Sequence, residues 1–153
     1  MFPKYHILFG AIFSFFLFWI FQEITLLGAI IIFLSSVLID VDHYLYYVFA
    51  KKNWNLFKAH RWFCERHSYM MKLSREERNK HQGVFMFLHG IEILILLAIL
   101  GYFFSEIFYY ILIGFVFHLF LDYIYERICH DRWEKVSVIH DYFKFKKYEK
   151  TWD

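Results

Sequence analysis

Residues 24–43 read ITLLGAIIIFLSSVLIDVDH. From Ile24 to Ile39 no side chain is charged, and only Thr25, Ser35 and Ser36 carry a polar atom; the run then ends on Asp40, Asp42 and His43. A helix on the surface of a water-soluble domain keeps a polar face at a period of 3.6 residues, and this run has none. It reads as a membrane-crossing helix that returns two carboxylates and an imidazole to one face of the bilayer.

Three other stretches share that character. Ile7 to Gln22 carries no charge, Gly83 to Ser105 carries only His89 and Glu92, and Ile107 to Leu121 carries only His118. Uncharged cores of about 15–16 residues lie near the short limit for a membrane helix, which needs roughly 17–25. Each span must therefore recruit its polar neighbours. Composition agrees: 59% of the 153 residues are hydrophobic, with 21 Phe, 12 Tyr and 5 Trp, well above the norm for a soluble domain. A single Pro and six Gly exclude a collagen-like or turn-rich all-β chain. Cys64 and Cys129 have no CxxC spacing, which excludes a disulfide framework or zinc finger. A net charge of +2 gives no reason to expect nucleic acid.

The expected fold is all-α. One membrane-embedded domain has four transmembrane helices, over about 5–22, 24–43, 83–105 and 107–126, arranged as two hairpins. Lys4 precedes the first span, nine Lys and Arg lie between the second and third, and seven follow the fourth. The turns around Glu23 and Glu106 have none. Basic loops stay on the cytoplasmic side, so both termini and the central loop are expected there, in a multi-pass cell (inner) membrane protein. The loop 44–82 mixes aromatic with basic residues, as in YVFAKKNWNLFKAHRWF, and suits an amphipathic helix at the headgroup level. The tail 127–153 repeats that character in FKFKKYEK. Phe21-Gln22-Glu23 offers no small-residue cleavage site, so the first span is expected to be retained.

Ionisable groups inside a bilayer are costly, so they pair, bind ions or do chemistry. Here His6 opens the first span; Asp40, Asp42 and His43 close the second; His89 and Glu92 lie in the third; His118 and Asp122 lie in the fourth. At about 1.5 Å per residue these positions fall at one depth near the inner leaflet. Residues three or four apart share a helix face, which pairs His118 with Asp122, His89 with Glu92 and Asp40 with His43. His6 to Asp40 spans 34 positions and His89 to Asp122 spans 33, so each hairpin starts with a His and returns an Asp. Imidazole and carboxylate converging from several helices is the pattern of metal sites in helical bundles. Mixed ligation of this kind suits a divalent metal, zinc first, with manganese or iron as alternatives.

At these residues the chain resembles the membrane-bound metal-dependent hydrolases described as LexA-binding inner-membrane-associated hydrolases, which are related to zinc-dependent phospholipase C. Their N-terminal His corresponds to His6 in YHILFGAIF, and their Asp-x-Asp-His box to Asp40-Val41-Asp42-His43, with Ile39 where the family has Pro. Their His-x-x-x-Asp pair corresponds to His118 and Asp122. A middle His-Arg-Gly segment is matched either by His81-Gln82-Gly83 with His89-Gly90, or by His60-Arg61 with His67-Ser68. The likeness covers roughly residues 5–126 and implies a prokaryotic phosphoester hydrolase. His6, Asp40, His43, His81, His89, His118 and Asp122 are then expected as metal ligands, with Asp42 or Glu92 orienting the water or acting as general base. The depth points to membrane lipid as partner and to a lipid or isoprenoid phosphate as substrate. The alternative is a non-enzymatic ion-binding or scaffold protein with a polar helix-packing core.

Overall fold

The computed structural model describes residues 3–74, 76–77, 84–130 and 137–147. It is helical, with no strand among the described residues. In chain order the helices are α1 (Pro3–Ile20), α2 (Leu26–Leu38), α3 (Val41–Lys51), α4 (Leu56–Lys72), α5 (Ile91–Phe103), α6 (Ile107–His130) and α7 (Val138–Lys147).

Local chemistry explains the breaks. Phe21–Thr25 turns the chain after α1, and the Thr25 hydroxyl caps α2 by accepting the Gly28 N–H at 3.1 Å. α2 runs into α3 through a turn at Ile39 and Asp40, where His43 N–H reaches the Asp40 carbonyl at 3.1 Å. The second apolar run therefore extends to Lys51, well past its expected end at residue 43. Lys52 takes the left-handed conformation (φ 49°) that stops α3, and the Asn55 side chain caps α4 by accepting the Lys58 N–H.

Three helices are long and apolar enough to cross a membrane: Pro3–Ile20, the combined run Leu26–Lys51, and Ile107–Ile128. α5 is apolar but has 13 residues, about 20 Å of helix. It begins at Ile91, later than the expected residue 83, because Gly90 is extended (φ −122°, ψ 157°) and the two residues before it turn toward α3.

Burial is inverted relative to a soluble bundle. In α1 the buried residues are His6, Gly10 and Ser14, each four apart, while Phe15 and Trp19 are 67% and 73% exposed. α6 repeats the spacing with Gly114, His118 and Asp122; the first two are buried and the third is half-buried, while Val116 and Phe120 face outward. α2 turns Ile32, Ser35 and Ser36 inward and Leu27, Leu34 and Leu38 outward. Small and polar residues inside, large apolar residues outside, is how helices pack where the surroundings are hydrocarbon.

α2 packs most extensively against α6, then against α1; α5 lies against α6, and α3 against α4. The close approach of α2 and α6 depends on Gly114, whose added Cβ would sit 2.5 Å from the Ile32 carbonyl oxygen and 2.9 Å from the Ser36 nitrogen. Both are backbone atoms that cannot swing aside. The inward hydroxyls satisfy themselves locally, Ser35 on the Ile31 carbonyl (2.6 Å) and Ser36 on the Phe33 carbonyl (2.8 Å). Gly114→Leu is expected to destabilise the bundle by about 1–3 kcal/mol through overpacking, read as a lower unfolding midpoint in detergent. Phe15→Ala, on the outward face of α1, should stay within roughly 0.5 kcal/mol.

Candidate metal centre

Four chain segments deliver imidazoles and carboxylates to one end of the α1–α2–α6 bundle. His6 comes from the first turn of α1, and Asp40 from the α2–α3 turn. Asp42 and His43 come from the start of α3, His89 from the segment before α5, and His118 with Asp122 from the inward stripe of α6.

The inner group is Asp40, His89, His118 and Asp122, each offering one ligand atom within 4.8 Å of all the others. The separations within it are short and even. His118 Nε2 is 3.3 Å from Asp122 Oδ2 and 3.5 Å from Asp40 Oδ1; His89 Nε2 is 3.6 Å from Asp40 Oδ1 and 3.7 Å from Asp122 Oδ2. Four donors placed tetrahedrally at about 2.0–2.2 Å from a cation stand roughly 3.3–3.6 Å apart. The four imidazole–carboxylate separations, 3.3–3.7 Å, bring the donors close enough to share one cation.

Tautomer logic points the same way. His118 Nδ1 lies 2.8 Å from the Ser36 carbonyl, which can only accept, so the proton sits on Nδ1. Nε2 is then the ring atom turned toward the two carboxylate oxygens, and it is buried with no hydrogen-bond partner of its own. Carboxylate oxygens and an imidazole nitrogen facing one another inside a bundle are satisfied by a cation between them or by a proton on Nε2. His89 is set likewise: its Nδ1 is 2.9 Å from Asp42 Oδ2, leaving Nε2 for the group. Asp42 is fully buried and also accepts the Leu88 N–H at 3.1 Å. A carboxylate behind a histidine is how proteins orient a metal-binding imidazole. This His/Asp group could hold a metal ion.

His6 and His43 flank the group. The His6 ring stacks on His118 with centroids 3.9 Å apart, and its Nε2 is 3.2 Å from the outer oxygen of Asp122, Oδ1. Both His6 ring nitrogens are buried without a hydrogen-bond partner. His43 Nδ1 lies 3.0 Å from Asp42 Oδ1 and 3.3 Å from Asp40 Oδ1; Asp42, His43 and His89 form a second potential metal group that shares His89. The His43 ring meets Phe63 of α4 edge-on at 5.5 Å, so α4 borders this side. His43, Asp40 and Asp122 retain 25%, 19% and 13% side-chain exposure while His118 has none, which puts the mouth on their side.

Of the residues expected from sequence, His6, Asp40, His43, His89, His118 and Asp122 are thus brought together. Asp42 joins them from behind His89, as an orienting carboxylate. His81 lies outside the described residues. Glu92 is directed elsewhere: its carboxylate accepts from the Ser137 hydroxyl (2.5 Å) and from the Val138 and Ile139 N–H groups (2.9 and 3.3 Å), which caps α7. His89 precedes α5 instead of lying within it, so the helical spacing that paired it with Glu92 does not operate. His60 and His67 of α4 belong to neither group; His60 is exposed beside Cys64.

Two contributors leave no trace in the pattern of side chains. The Ser36 carbonyl and the Leu88 N–H are backbone groups, and only the fold brings them to the site. Gly10 and Gly114 make room for the cluster, and they do carry a signal: each sits four residues from a site histidine. Comparison of the chain with protein-family models, with curated proteins and with solved structures returns no match.

Equilibrium dialysis against a divalent cation tests the donor set. His118→Ala is expected to abolish tight binding, and Asp42→Asn to weaken it by about 10–100-fold. Ser36→Ala should leave it unchanged, since the acceptor is main-chain.

Proposed function

We propose that this protein is a membrane-embedded, metal-dependent hydrolase that cleaves a phosphoester of a lipid or isoprenoid at the inner leaflet. The observation that carries the reading is the convergence of Asp40, His89, His118 and Asp122, with His89 and His118 each held through Nδ1 so that Nε2 faces the group. It is supported by the Asp-x-Asp-His box and the His-x-x-x-Asp pair, which resemble those of the LexA-binding inner-membrane-associated hydrolases. In this reading α5, extended by the residues around it, completes a fourth span. The chain then crosses an inner membrane as two hairpins with both termini in the cytoplasm, the orientation that the distribution of Lys and Arg favours.

Zinc is the cation proposed, since two imidazoles and two carboxylates suit it; manganese and iron(II) are the alternatives. When bound, such a cation polarises a phosphoryl oxygen and acidifies a water molecule at neutral pH. The chain's own residues do the rest. Asp42 holds the His89 ring through Nδ1, and the Ser36 carbonyl holds His118 in the same way. His6 buttresses Asp122 from its outer oxygen. His43, the most exposed imidazole of the cluster, stands at the mouth within reach of Asp40 and is the group proposed to move the water's proton. The position of the mouth favours a headgroup phosphate, which arrives at this depth without leaving the bilayer.

Full-length protein reconstituted in nanodiscs and loaded with zinc should hydrolyse a lipid or isoprenoid phosphoester. His118→Ala should lower turnover by roughly a thousandfold or more, and chelation should abolish turnover reversibly. Stoichiometric metal by elemental analysis with no hydrolysis of any such ester would leave an ion-binding protein. Absence of metal would leave a polar helix-packing core. Either result overturns the hydrolase reading.

A further inference from the structure

Helix α7 takes no part in the metal centre, yet it is fastened to the segment that supplies His89. Glu92, in the first turn of α5, accepts three hydrogen bonds from Ser137, Val138 and Ile139, the residues that open α7. Val138 lies against Gly90 so tightly that a Cβ there would meet both its side chain and its nitrogen, at 2.7 Å for the latter. Further along, the Tyr142 ring meets Phe85 edge-on at 5.9 Å. Phe85 and Gly90 bracket Leu88 and His89, the two residues that bind Asp42. The strap therefore grips both ends of the ligand-bearing segment.

The rest of α7 has the chemistry of a bilayer surface. Ile139, Tyr142 and Phe143, spaced three and four apart, are exposed, with Ile139 at 61% and Phe143 at 66%. Lys146 lies over the Tyr142 ring at 4.7 Å, and Lys144 and Lys147 belong to the same last two turns, against one acid, Asp141. Depth agrees as well. α7 starts beside Gly90 and Glu92, where the outward apolar run of α5 (Ile91, Ile95, Ile99) begins. That boundary is where an in-plane helix with an apolar face and a lysine cluster meets anionic headgroups.

We propose that α7 is a strap that binds an anionic lipid surface, and that Glu92 couples its seating to the order of the His89 segment. The occupant is the lipid headgroup layer itself. The coupling concerns the order of residues 84–90 and holds whether or not the centre turns over a substrate.

Hydrogen exchange of the full chain in nanodiscs tests this directly. Amides of 138–147 should exchange roughly tenfold or more slowly in discs containing phosphatidylglycerol than in pure phosphatidylcholine. A triple variant, Lys144→Gln, Lys146→Gln and Lys147→Gln, should erase that difference while leaving α1, α2 and α6 protected. Glu92→Ala should speed exchange in both 138–147 and 84–90. Equal exchange of 138–147 in the two lipids overturns the lipid assignment. Protection that instead rises with protein concentration in detergent assigns the face to a second copy of this chain, with the same consequence. Unchanged exchange at 84–90 in Glu92→Ala overturns the coupling.

Discussion

Ionisable side chains within a bundle whose outer surface is apolar can go only one way. A carboxylate or imidazole turned toward hydrocarbon would lose its hydration with nothing in return, so the stripes His6–Gly10–Ser14 and Gly114–His118–Asp122 both face inward. That constraint fixes the rotation of α1 and α6 about their own axes. The packing of α2 then follows, because Gly114 admits its backbone closely enough for the Ser36 carbonyl to meet His118.

Concentrating acceptors in this way creates its own difficulty. Asp40 and Asp122 share a site with imidazoles whose protons are committed to Ser36 and Asp42, so negative charge accumulates where water is scarce. A cation held there would relieve the repulsion and join elements far apart in sequence. Asp42 plays a separate part, because by accepting from Leu88 and His89 it draws the segment before α5 onto the start of α3. Glu92, on the other side of Gly90, draws α7 onto the same segment. One carboxylate thus binds the stretch directly, and the other holds the helix that packs against it at Gly90.

The absence of charge and of any polar face over Ile24–Ile39 was enough to read a membrane-crossing helix, because a soluble alternative would have to expose that surface to water. The i,i+4 spacing of His118 and Asp122, and the LIDVDH terminus of the second run, likewise announced donors that share a face or a turn. Helical spacing failed at His89 and Glu92. Whether His89 lies inside a helix is decided by the extended backbone at Gly90 together with the pull of Asp42, 47 residues earlier.

What the amino-acid order determined by itself was the apolar character of the helices, the shared face of His118 and Asp122 and the types of ligand atom available, all consequences of local spacing and of the cost of solvating each side chain. What only tertiary structure decided was which carboxylate would face the shared centre and which would stand behind a histidine. Asp40 and Asp42 are two residues apart and chemically identical. They differ in role because Asp40 lies in the α2–α3 turn toward α6, whereas Asp42, in the first turn of α3, meets a backbone N–H and an imidazole brought from a distant segment.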